Sequence, residues 1–235
     1  MSHSPCTVYL IPCYLYAGAT QCLPNYLQDA ISQCQVFFVE NLRTTRRYFK
    51  QLWPQINIDQ YEWHAIDEIE VKALPAFTQA VADGKTIGIV SEAGCPGIAD
   101  PGQLLVAVAQ ELGATVKPLV GPSSILLALM ASGLNGQQFK FAGYLPIETA
   151  QRRKAILHLE ERALKLEETQ IFIETPYRNN ALFQDLLNTL RSGAKLCIAT
   201  RLTSPAEWIK TQTIQQWKQQ PAPPLHKEPT IFLIG

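Results

Sequence analysis

The sequence predicts an α/β protein of two domains, the first with a mainly parallel sheet and flanking helices and the second with a mixed sheet. In the first half, short apolar runs rich in β-branched residues alternate with helical patterns of about ten residues, which is typical of parallel βαβ units. In the second half, a long charged helical pattern is followed by closely spaced strand patterns, which favours some antiparallel pairing. We place the boundary at Gly136, so the predicted domains are 1–136 and 137–235.

Each strand of the first domain is predicted from an apolar run that ends at a turn or a polar residue. These runs lie at 7–11, 36–39, 56–63, 86–90 and 114–119. The third run alternates only weakly between apolar and polar residues, so we expect it at the sheet edge. Apolar residues at helical spacing predict the helices at 23–31, 43–52, 74–82, 103–112 and 125–131. Because most strand runs are apolar on both faces, we expect helices on both sides of the sheet.

The second domain is predicted to hold five further strands and two long helices. The strand patterns lie at 139–145, 171–174, 196–200, 207–213 and 230–234. The helical patterns lie at 148–167 and 177–190. We expect the last two strands to pair as neighbours, with the segment rich in proline and glutamine between them, 219–224, at the surface.

Composition excludes several classes of function. The 235 residues carry no net charge, which argues against non-specific nucleic-acid binding but leaves room for a local basic patch. The six cysteines form no Cys-x-x-Cys pair and the four histidines are scattered, which predicts reduced thiols and no metal site. The N-terminus lacks a basic region, and no window approaches about 18 apolar residues. We therefore expect a cytoplasmic protein without a signal peptide or membrane span.

A turn-rich loop at 91–102, with the sequence SEAGCPGIADPG, follows the predicted strand 86–90. Open α/β sheets bind their ligands at the carboxyl ends of such strands. A second loop, VGPSS at 120–124, follows the next strand. The glycines of the two loops allow a ligand or another backbone to approach closely. Either loop alone is explained by a tight turn, but two at neighbouring strand ends favour a ligand site.

The motifs of the commonest ligands for such loops are missing. No G-x-G-x-x-G occurs, which argues against dinucleotide binding. The glycine-rich stretch 97–102 is followed by Gln103 and Leu104, where a phosphate-binding loop has Lys and Ser or Thr. H-E-x-x-H and G-x-S-x-G are also absent. These absences argue against hydride transfer, nucleoside triphosphate hydrolysis, zinc proteolysis and esterase chemistry.

The two loops together resemble the signature loops of the tetrapyrrole methylases, a superfamily of S-adenosylmethionine-dependent methyltransferases. The resemblance rests on S-E-A-G-C-P-x-x-x-D-P-G at 91–102 and PLVGP at 118–122. Weaker matches are ENLRTT at 40–45, FAGYLP at 141–146 and IETPYR at 173–178. Their order and spacing cover the chain from about Tyr9 to Ile234. The branch that they resemble most methylates the 2′-hydroxyl of a cytidine in small-subunit ribosomal RNA.

This resemblance implies two α/β domains that fold the methyl donor, S-adenosylmethionine, into the cleft between them, and a homodimer. Residue by residue, it places donor-binding positions of the first domain at Pro12, Ser91, Glu92, Ala93, Gly94, Ile98, Gly121, Ser123 and Ser124. In the second domain it places them at Phe172, Ile173, Glu174, Leu202, Pro229 and Thr230.

The chain departs from the branch at three places on the expected acceptor side. The stretch CYLYAG at 13–18 stands where the branch has Pro-Ile-Gly-Asn, Glu40-Asn41 replaces an acidic pair, and Glu92 replaces an aspartate. Two alternatives therefore stay open. The acceptor is a tetrapyrrole or another small molecule, or the protein binds cofactor or RNA without turnover. We expect Tyr14 and Tyr16 to pack or to stack on a base, and Cys95 to be a packed thiol.

Carboxylates at predicted strand ends are the candidate catalytic residues. Methyl transfer from a sulfonium requires an aligned nucleophile, and a ribose hydroxyl reacts better when a nearby base takes its proton. Glu40, Glu92 and Asp100 can all face one site. We hypothesise that Glu92 or Glu40 is the base or orients the acceptor, while Asp100 is equally well explained as a turn residue.

Two basic clusters are candidate RNA contacts. The first has four residues at helical spacing, Arg43, Arg46, Arg47 and Lys50. The second, Arg152-Arg153-Lys154, lies in the long charged helix. Under the RNA interpretation these side chains meet phosphates. The alternative for each cluster is a solvated helix face.

Overall fold

The computed structural model describes residues 6–66 and 70–235, and the chain divides between Ser123 and Ser124 into two compact units. The first unit contains five strands: β1 (Thr7–Ile11), β2 (Val36–Val39), β3 (Glu62–Ala65), β4 (Ile87–Val90) and β5 (Thr115–Pro118). Its helices are α1 (Leu27–Gln33), α2 (Leu42–Leu52), α3 (Leu74–Ala82) and α4 (Gln103–Glu111).

The sheet of the first unit has the order β3-β2-β4-β1-β5, and every pairing in it is parallel. All residues of β2 and β4 are buried, as their continuous apolar runs predict. The strand β3 lies at the edge, which confirms the expectation for the weakly alternating run. Because all five strands run the same way, the loops that follow them emerge at a single edge of the sheet.

Two adjacent phenylalanines of β2 show how the sheet is covered on both sides. Successive residues of a strand point to opposite faces. Phe37 packs edge-to-face on Phe49 of α2 with ring centroids 5.0 Å apart. Phe38 packs in the same manner on Phe77 of α3, at 5.1 Å. The parallel sheet with flanking helices is therefore confirmed.

The second unit contains a mixed sheet in the order β6-β7-β10-β8-β9, in which only β6 and β7 are parallel. Its strands are β6 (Phe139–Tyr144), β7 (Thr169–Ile173), β8 (Lys195–Thr200), β9 (Trp208–Thr213) and β10 (Thr230–Ile234). Its helices are α5 (Ser124–Ser132), α6 (Thr149–Leu166), α7 (Asn179–Thr189) and α8 (Ile214–Lys218).

The prediction that the last two strands pair is wrong, because β8 lies between them. Every residue of β10 is buried, which suits the centre of the sheet, whereas every residue of β9 is half-buried, which suits the edge. The short helix α8 was not predicted, although its capping box is visible in the sequence. Thr213 accepts from the backbone N–H of Gln216, and the Gln216 side chain accepts from that of Thr213.

The division of the chain falls before α5 rather than at Gly136. The reason is that α5 contacts β8, β9 and β10, so it belongs to the core of the second unit. The other predicted strands and helices are present with ends displaced by a few residues, except that only the end of the run 56–63 contributes to a strand.

Both interpretations of the cluster 152–154, phosphate contact and a solvated helix face, are wrong for Arg152. Its guanidinium is buried, and Nε donates to Asp185 Oδ2 of α7 at 2.8 Å. Its Nη1 donates to the carbonyl of Ile147 at 2.6 Å. Arg153 Nε also donates to Asp185, at 3.2 Å. Arg152 therefore joins two helices and is not available to a ligand.

Candidate functional site

A backbone bridge ties the loop after β1 to the loop after β4. The backbone N–H of Cys13 donates to the Gly94 carbonyl at 2.8 Å, and that of Gly94 donates to the Cys13 carbonyl at 3.1 Å. Gly94 has a φ of +76°, in the left-handed region that favours glycine. The buried Ser91 hydroxyl donates to the Gly94 carbonyl at 3.3 Å. The loop that Cys13 holds in this way carries five of the positions predicted to bind the methyl donor: Ser91, Glu92, Ala93, Gly94 and Ile98.

Gly121, in the loop after β5, packs directly on Pro12 at the end of β1. A Cβ atom at Gly121 would lie 2.1 Å from Pro12 Cβ and 2.5 Å from Pro12 Cγ. The proline cannot retreat easily, because the buried hydroxyl of Tyr48 donates to its carbonyl at 2.7 Å. Glycine is thus required at this position for close approach. Of the predicted donor positions, Pro12, Gly94 and Gly121 are brought together at this edge.

Replacing Gly121 by alanine is expected to destabilise the first unit by about 1–3 kcal/mol and to weaken donor binding, because the new methyl group overpacks the contact with Pro12. Thermal unfolding with and without the donor measures both effects. Gly136→Ala is the matched control, since a Cβ at Gly136 would meet no atom within 4 Å. Equal stability of the two variants would contradict this role for Gly121.

The three carboxylates that the sequence places at strand ends are electrostatically coupled. Glu40 Oε2 accepts from the backbone N–H of Glu92 at 2.9 Å. Thr44 Oγ1 donates to Glu92 Oε1 at 2.9 Å. Burial, followed by repulsion from Glu40 and Glu92, raises the pKa of Asp100 from its ordinary 3.8 to about 7. The Glu40 carboxylate is thus tied to the Glu92 backbone, and both carboxylates act on Asp100 through their charge.

The raised pKa of Asp100 predicts a pH-dependent stability. In the folded chain Asp100 keeps its proton up to about pH 7, whereas in the unfolded chain it loses it near 3.8. The folded state binds more protons between these values, so this group makes the free energy of unfolding fall as pH rises through that window. Asp100→Asn is expected to gain stability relative to the wild type as pH rises from about 5 to about 8. Parallel melting temperatures for the two proteins over that range would contradict the shift.

A cavity of about 320 Å³ opens at the same edge. It is lined by Cys13, Tyr14, Leu15, Ala17, Thr44, Thr45, Arg47, Ser91 and Glu92. Glu92 lines this cavity and Glu40 does not. Thr44 is missing from the site residues predicted from the sequence, although the helix cap at Asn41 was a signal that could have pointed to it. Asn41 caps α2 by accepting from the backbone N–H groups of Arg43 and Thr44, which fixes the first turn of the helix.

The three arginines of α2 have different surroundings. Arg47 is exposed and lines the cavity. Arg43 is exposed. The guanidinium of Arg46 lies over the Trp63 ring, 5.1 Å from its centroid, so this side chain packs on the protein itself. Of the three, Arg47 is the one that the structure places at the cavity.

The stretch 13–18, where the chain departs from the family branch, contributes packed side chains to the cavity wall. Tyr14 packs edge-to-face on Tyr48 with centroids 5.2 Å apart, while Tyr16 is exposed.

Burial raises the pKa of the Cys13 thiol to about 12. Cys95 Sγ donates to the Pro122 carbonyl at 3.5 Å, and burial, with a contribution from Asp100, raises its pKa. The interpretation of Cys95 as a packed thiol is confirmed. The six cysteines are all free thiols.

The predicted donor positions of the second unit share one edge of the mixed sheet. The antiparallel register pairs Ile231 with Ile173 and Thr230 with Thr200, so β10 begins where β7 and β8 end. Phe172 and Ile173 end β7 and Glu174 follows it, Leu202 follows β8, and Pro229 precedes Thr230, the first residue of β10. Ser124 opens α5, whereas Ser123 and the exposed Ile98 belong to the first unit.

Glu174 and Leu202 are held in unusual environments at this edge. The Glu174 carboxylate is buried; Oε1 accepts from Arg178 Nη2 at 2.6 Å, and Oε2 has no partner among the described residues. Leu202 lies between Arg201 and Thr203, which have φ values of +55° and +66°. Positive φ is strained for a β-branched residue and marks many functional sites. Glu207 holds the turn by accepting from the backbone N–H of Thr203 at 2.7 Å.

Within 6–66 and 70–235, no group of three or more His, Cys, Asp or Glu side chains is arranged to hold a metal ion. No helix in the described part of the chain combines the length and apolarity needed to cross a membrane.

Comparison with known proteins places this architecture among methyltransferases. The family model for tetrapyrrole (corrin/porphyrin) methylases matches residues 17–217. Several relatives bear the name ribosomal RNA small subunit methyltransferase I, and two of them show the extent of the similarity. The one from Vibrio cholerae is 32% identical over 77% of this chain and 60% of its own length. The one from Mycobacterium tuberculosis is 31% identical over 89% of this chain and 71% of its own length. The matched region thus spans 60–71% of the length of these relatives.

Solved structures share the fold at lower identity. The methyltransferase CobJ superposes with a TM-score of 0.65 at 17% identity, over 99% of this chain and 94% of CobJ. Uroporphyrin-III-C-methyltransferase from Thermus thermophilus gives a TM-score of 0.54 at 15% identity, over 97% and 91% of the two chains. These likenesses show the same two-part α/β architecture.

Proposed function

This chain belongs to the tetrapyrrole (corrin/porphyrin) methylase family, and on that premise we propose that it transfers a methyl group from S-adenosylmethionine to the 2′-hydroxyl of a cytidine in small-subunit ribosomal RNA. The observation that carries the donor assignment is the contact of Gly121 with Pro12 beside Gly94, at the positions that the family resemblance assigns to the donor. The names of the relatives support the RNA acceptor.

The residues present fit this donor. Glycine at 94 and 121 leaves backbone, without side chains, at the strand ends of the first unit. The buried Glu174 Oε2 of the second unit is an acceptor that has no partner within 6–66 and 70–235, as required for a ligand amino group. When bound, the donor supplies an electrophilic methyl group on a sulfonium. Methyl transfer of this kind needs alignment and a proton acceptor, and no metal ion.

On the acceptor side we assign different roles to the two candidate carboxylates. Glu92 faces the cavity and takes the proton of the acceptor hydroxyl, while Thr44 fixes one of its oxygens. Glu40 holds the Glu92 backbone and acts as a positioning residue. The cavity volume is at the lower end of the range for small-ligand pockets, about 300–1,000 Å³, which suits one nucleoside. Arg47 at its wall meets a phosphate, with Arg43 exposed on the same helix for a further contact.

Methyl incorporation into small ribosomal subunits that lack the modification tests the proposal. The purified chain with methyl-labelled S-adenosylmethionine is expected to label the RNA, and a mass map of nucleosides is expected to show 2′-O-methylcytidine. Label in a tetrapyrrole or another small molecule instead would reject the RNA acceptor. Donor binding without transfer to any acceptor would identify a non-catalytic relative. The free thiols agree with a cytoplasmic location, where ribosomal subunits are found.

We also propose a homodimer in which a second copy covers α5. Leu126 and Met130 lie one helical turn apart on this helix and are 50% and 79% exposed. Exposed apolar side chains at helical spacing are typical of an interface. Light scattering of the wild type is expected to give twice the chain mass, and Met130→Glu is expected to give the monomer. A monomeric wild type would contradict the dimer.

A further inference from the structure

An exposed tyrosine flanked by basic side chains stands beside the strand ends of the second unit. Tyr177 follows β7 and is 71% exposed. The Lys227 ammonium lies 5.8 Å from the centroid of its ring. The His226 ring meets it edge-on, with centroids 6.3 Å apart and an interplanar angle of 79°. We call Tyr177, His226 and Lys227 the tyrosine platform.

Buried hydrogen bonds hold both segments of the platform in place. The completely buried Asn179 of α7 donates to the carbonyls of Leu225 and Glu228, at 3.2 and 2.7 Å. The backbone N–H of Lys227 donates to the Pro176 carbonyl at 3.0 Å, which joins the two loops directly. Lys227 itself has a φ of +64°, a conformation that costs free energy in any residue with a side chain. The platform is therefore built on a fixed scaffold, and its aromatic ring is nevertheless left open to solvent.

The exposed charge that this surface presents to a ligand is the Lys227 ammonium. Of the two carboxylates in segments 174–178 and 225–229, Glu174 is buried against Arg178 and Glu228 is half-buried. Lys227 and His226 are exposed. An exposed aromatic ring beside a cation, here the Lys227 ammonium, is an arrangement with which proteins bind single-stranded nucleic acid, because the ring stacks on a base and the cation meets a phosphate.

The location of the platform connects it to the chemistry of this unit. The segment that carries His226 and Lys227 leads directly into Pro229 and Thr230, which the family resemblance assigns to the donor. Glu174, also a donor position, accepts from Arg178 Nε at 2.9 Å, next to Tyr177 in the chain. RNA held here therefore lies beside the donor positions of its own unit.

We infer that the tyrosine platform binds an unpaired base of the RNA and its adjoining phosphate. The inference rests on the proposed RNA methyltransferase function and adds a surface that secures the single-stranded substrate. Recognition through stacking is tolerant of sequence, because every base has an aromatic face. The platform thus contributes affinity, while the identity of the target is read elsewhere.

Fluorescence anisotropy with a labelled single-stranded RNA of about ten nucleotides tests the platform. Tyr177→Ala is expected to weaken RNA binding about 5- to 100-fold, whereas Tyr177→Phe, which keeps the ring, is expected to bind as the wild type does. Lys227→Ala is expected to lower the slope of log affinity against log salt by about 0.7, the contribution of one phosphate contact on a single strand. Tyr144→Ala is the matched control, since Tyr144 is a 60% exposed tyrosine on β6 of the same unit. Its RNA affinity is expected to be unchanged.

Donor binding and thermal unfolding of each variant show whether the fold is intact. Unchanged RNA affinity in Tyr177→Ala, or an equal loss in Tyr177→Phe, would overturn the platform, as would failure of the wild type to bind the RNA. Methyl transfer by the wild type is measured separately. If the wild type transfers methyl groups and Tyr177→Ala binds RNA as tightly as the wild type does, this inference alone is overturned. If the wild type binds the donor but transfers no methyl group, the proposed function is overturned.

Discussion

Replacing Glu92 by glutamine is expected to lower the rate of methyl transfer at saturating donor about 10²- to 10⁴-fold, the loss typical of a removed general base. Glutamine has nearly the same shape and keeps an oxygen that can accept from Thr44 Oγ1, as Glu92 does at 2.9 Å. It cannot take a proton from the acceptor hydroxyl at neutral pH. The rate with small subunits at saturating donor measures the loss, and calorimetry measures donor binding.

Glu40→Gln is the matched control for this substitution. Glu40 accepts from the backbone N–H of Glu92 but does not line the cavity, and glutamine keeps an acceptor for that hydrogen bond. We therefore expect a much smaller loss of rate. Full activity in both variants would remove both carboxylates from the chemistry, and a larger loss in Glu40→Gln would exchange their roles.

Replacing Asp185 by alanine is expected to destabilise the second unit by about 3–5 kcal/mol, because it leaves the Arg152 guanidinium buried without its counter-charge. Both side chains are only 8% exposed, and Arg152 Nε donates to Asp185 Oδ2 at 2.8 Å. The backbone acceptor at Ile147 remains but carries no charge. Equilibrium unfolding in urea measures the loss.

The pair of Glu161 and Lys165 on the same helix, α6, provides the control. These side chains are 55% and 71% exposed, so water screens their attraction. Glu161→Ala is expected to leave the free energy of unfolding almost unchanged. Similar losses in Glu161→Ala and Asp185→Ala would contradict the contrast between buried and exposed ion pairs.

The architecture could be predicted because strands that are buried on both faces have continuous apolar sequences. In β2 and β4 every residue is buried, and the sequence shows continuous apolar runs. The order of the antiparallel strands in the second sheet cannot be predicted from the sequence of each strand in this way. β9 and β10 are consecutive strands, yet β8 separates them, because pairing depends on contacts distant in sequence. The helix α8 could not be predicted from hydrophobic periodicity, because its five residues are too few to show a helical pattern.

The glycine loops of the site could be predicted because a glycine in the sequence marks a place where the backbone needs positive φ or close approach to another segment. Gly94 has positive φ, and Gly121 leaves no room for a Cβ beside Pro12. The surroundings of charged side chains could not be predicted in this way. Arg46 packs on Trp63 and Arg152 pairs with Asp185, partners that only the folded chain brings near. Basic residues close together in sequence therefore have different roles in the structure.

Calorimetric titration of the whole chain with S-adenosylmethionine and with its demethylated product tests the central claim most directly. We expect both to bind, each with about one site per chain, and the affinity to be weakened in Gly121→Ala but unchanged in Gly136→Ala, because only Gly121 adjoins Pro12. Absence of heat with either compound, for a wild-type chain shown to be folded, would contradict the assignment of these strand ends to a methyl donor.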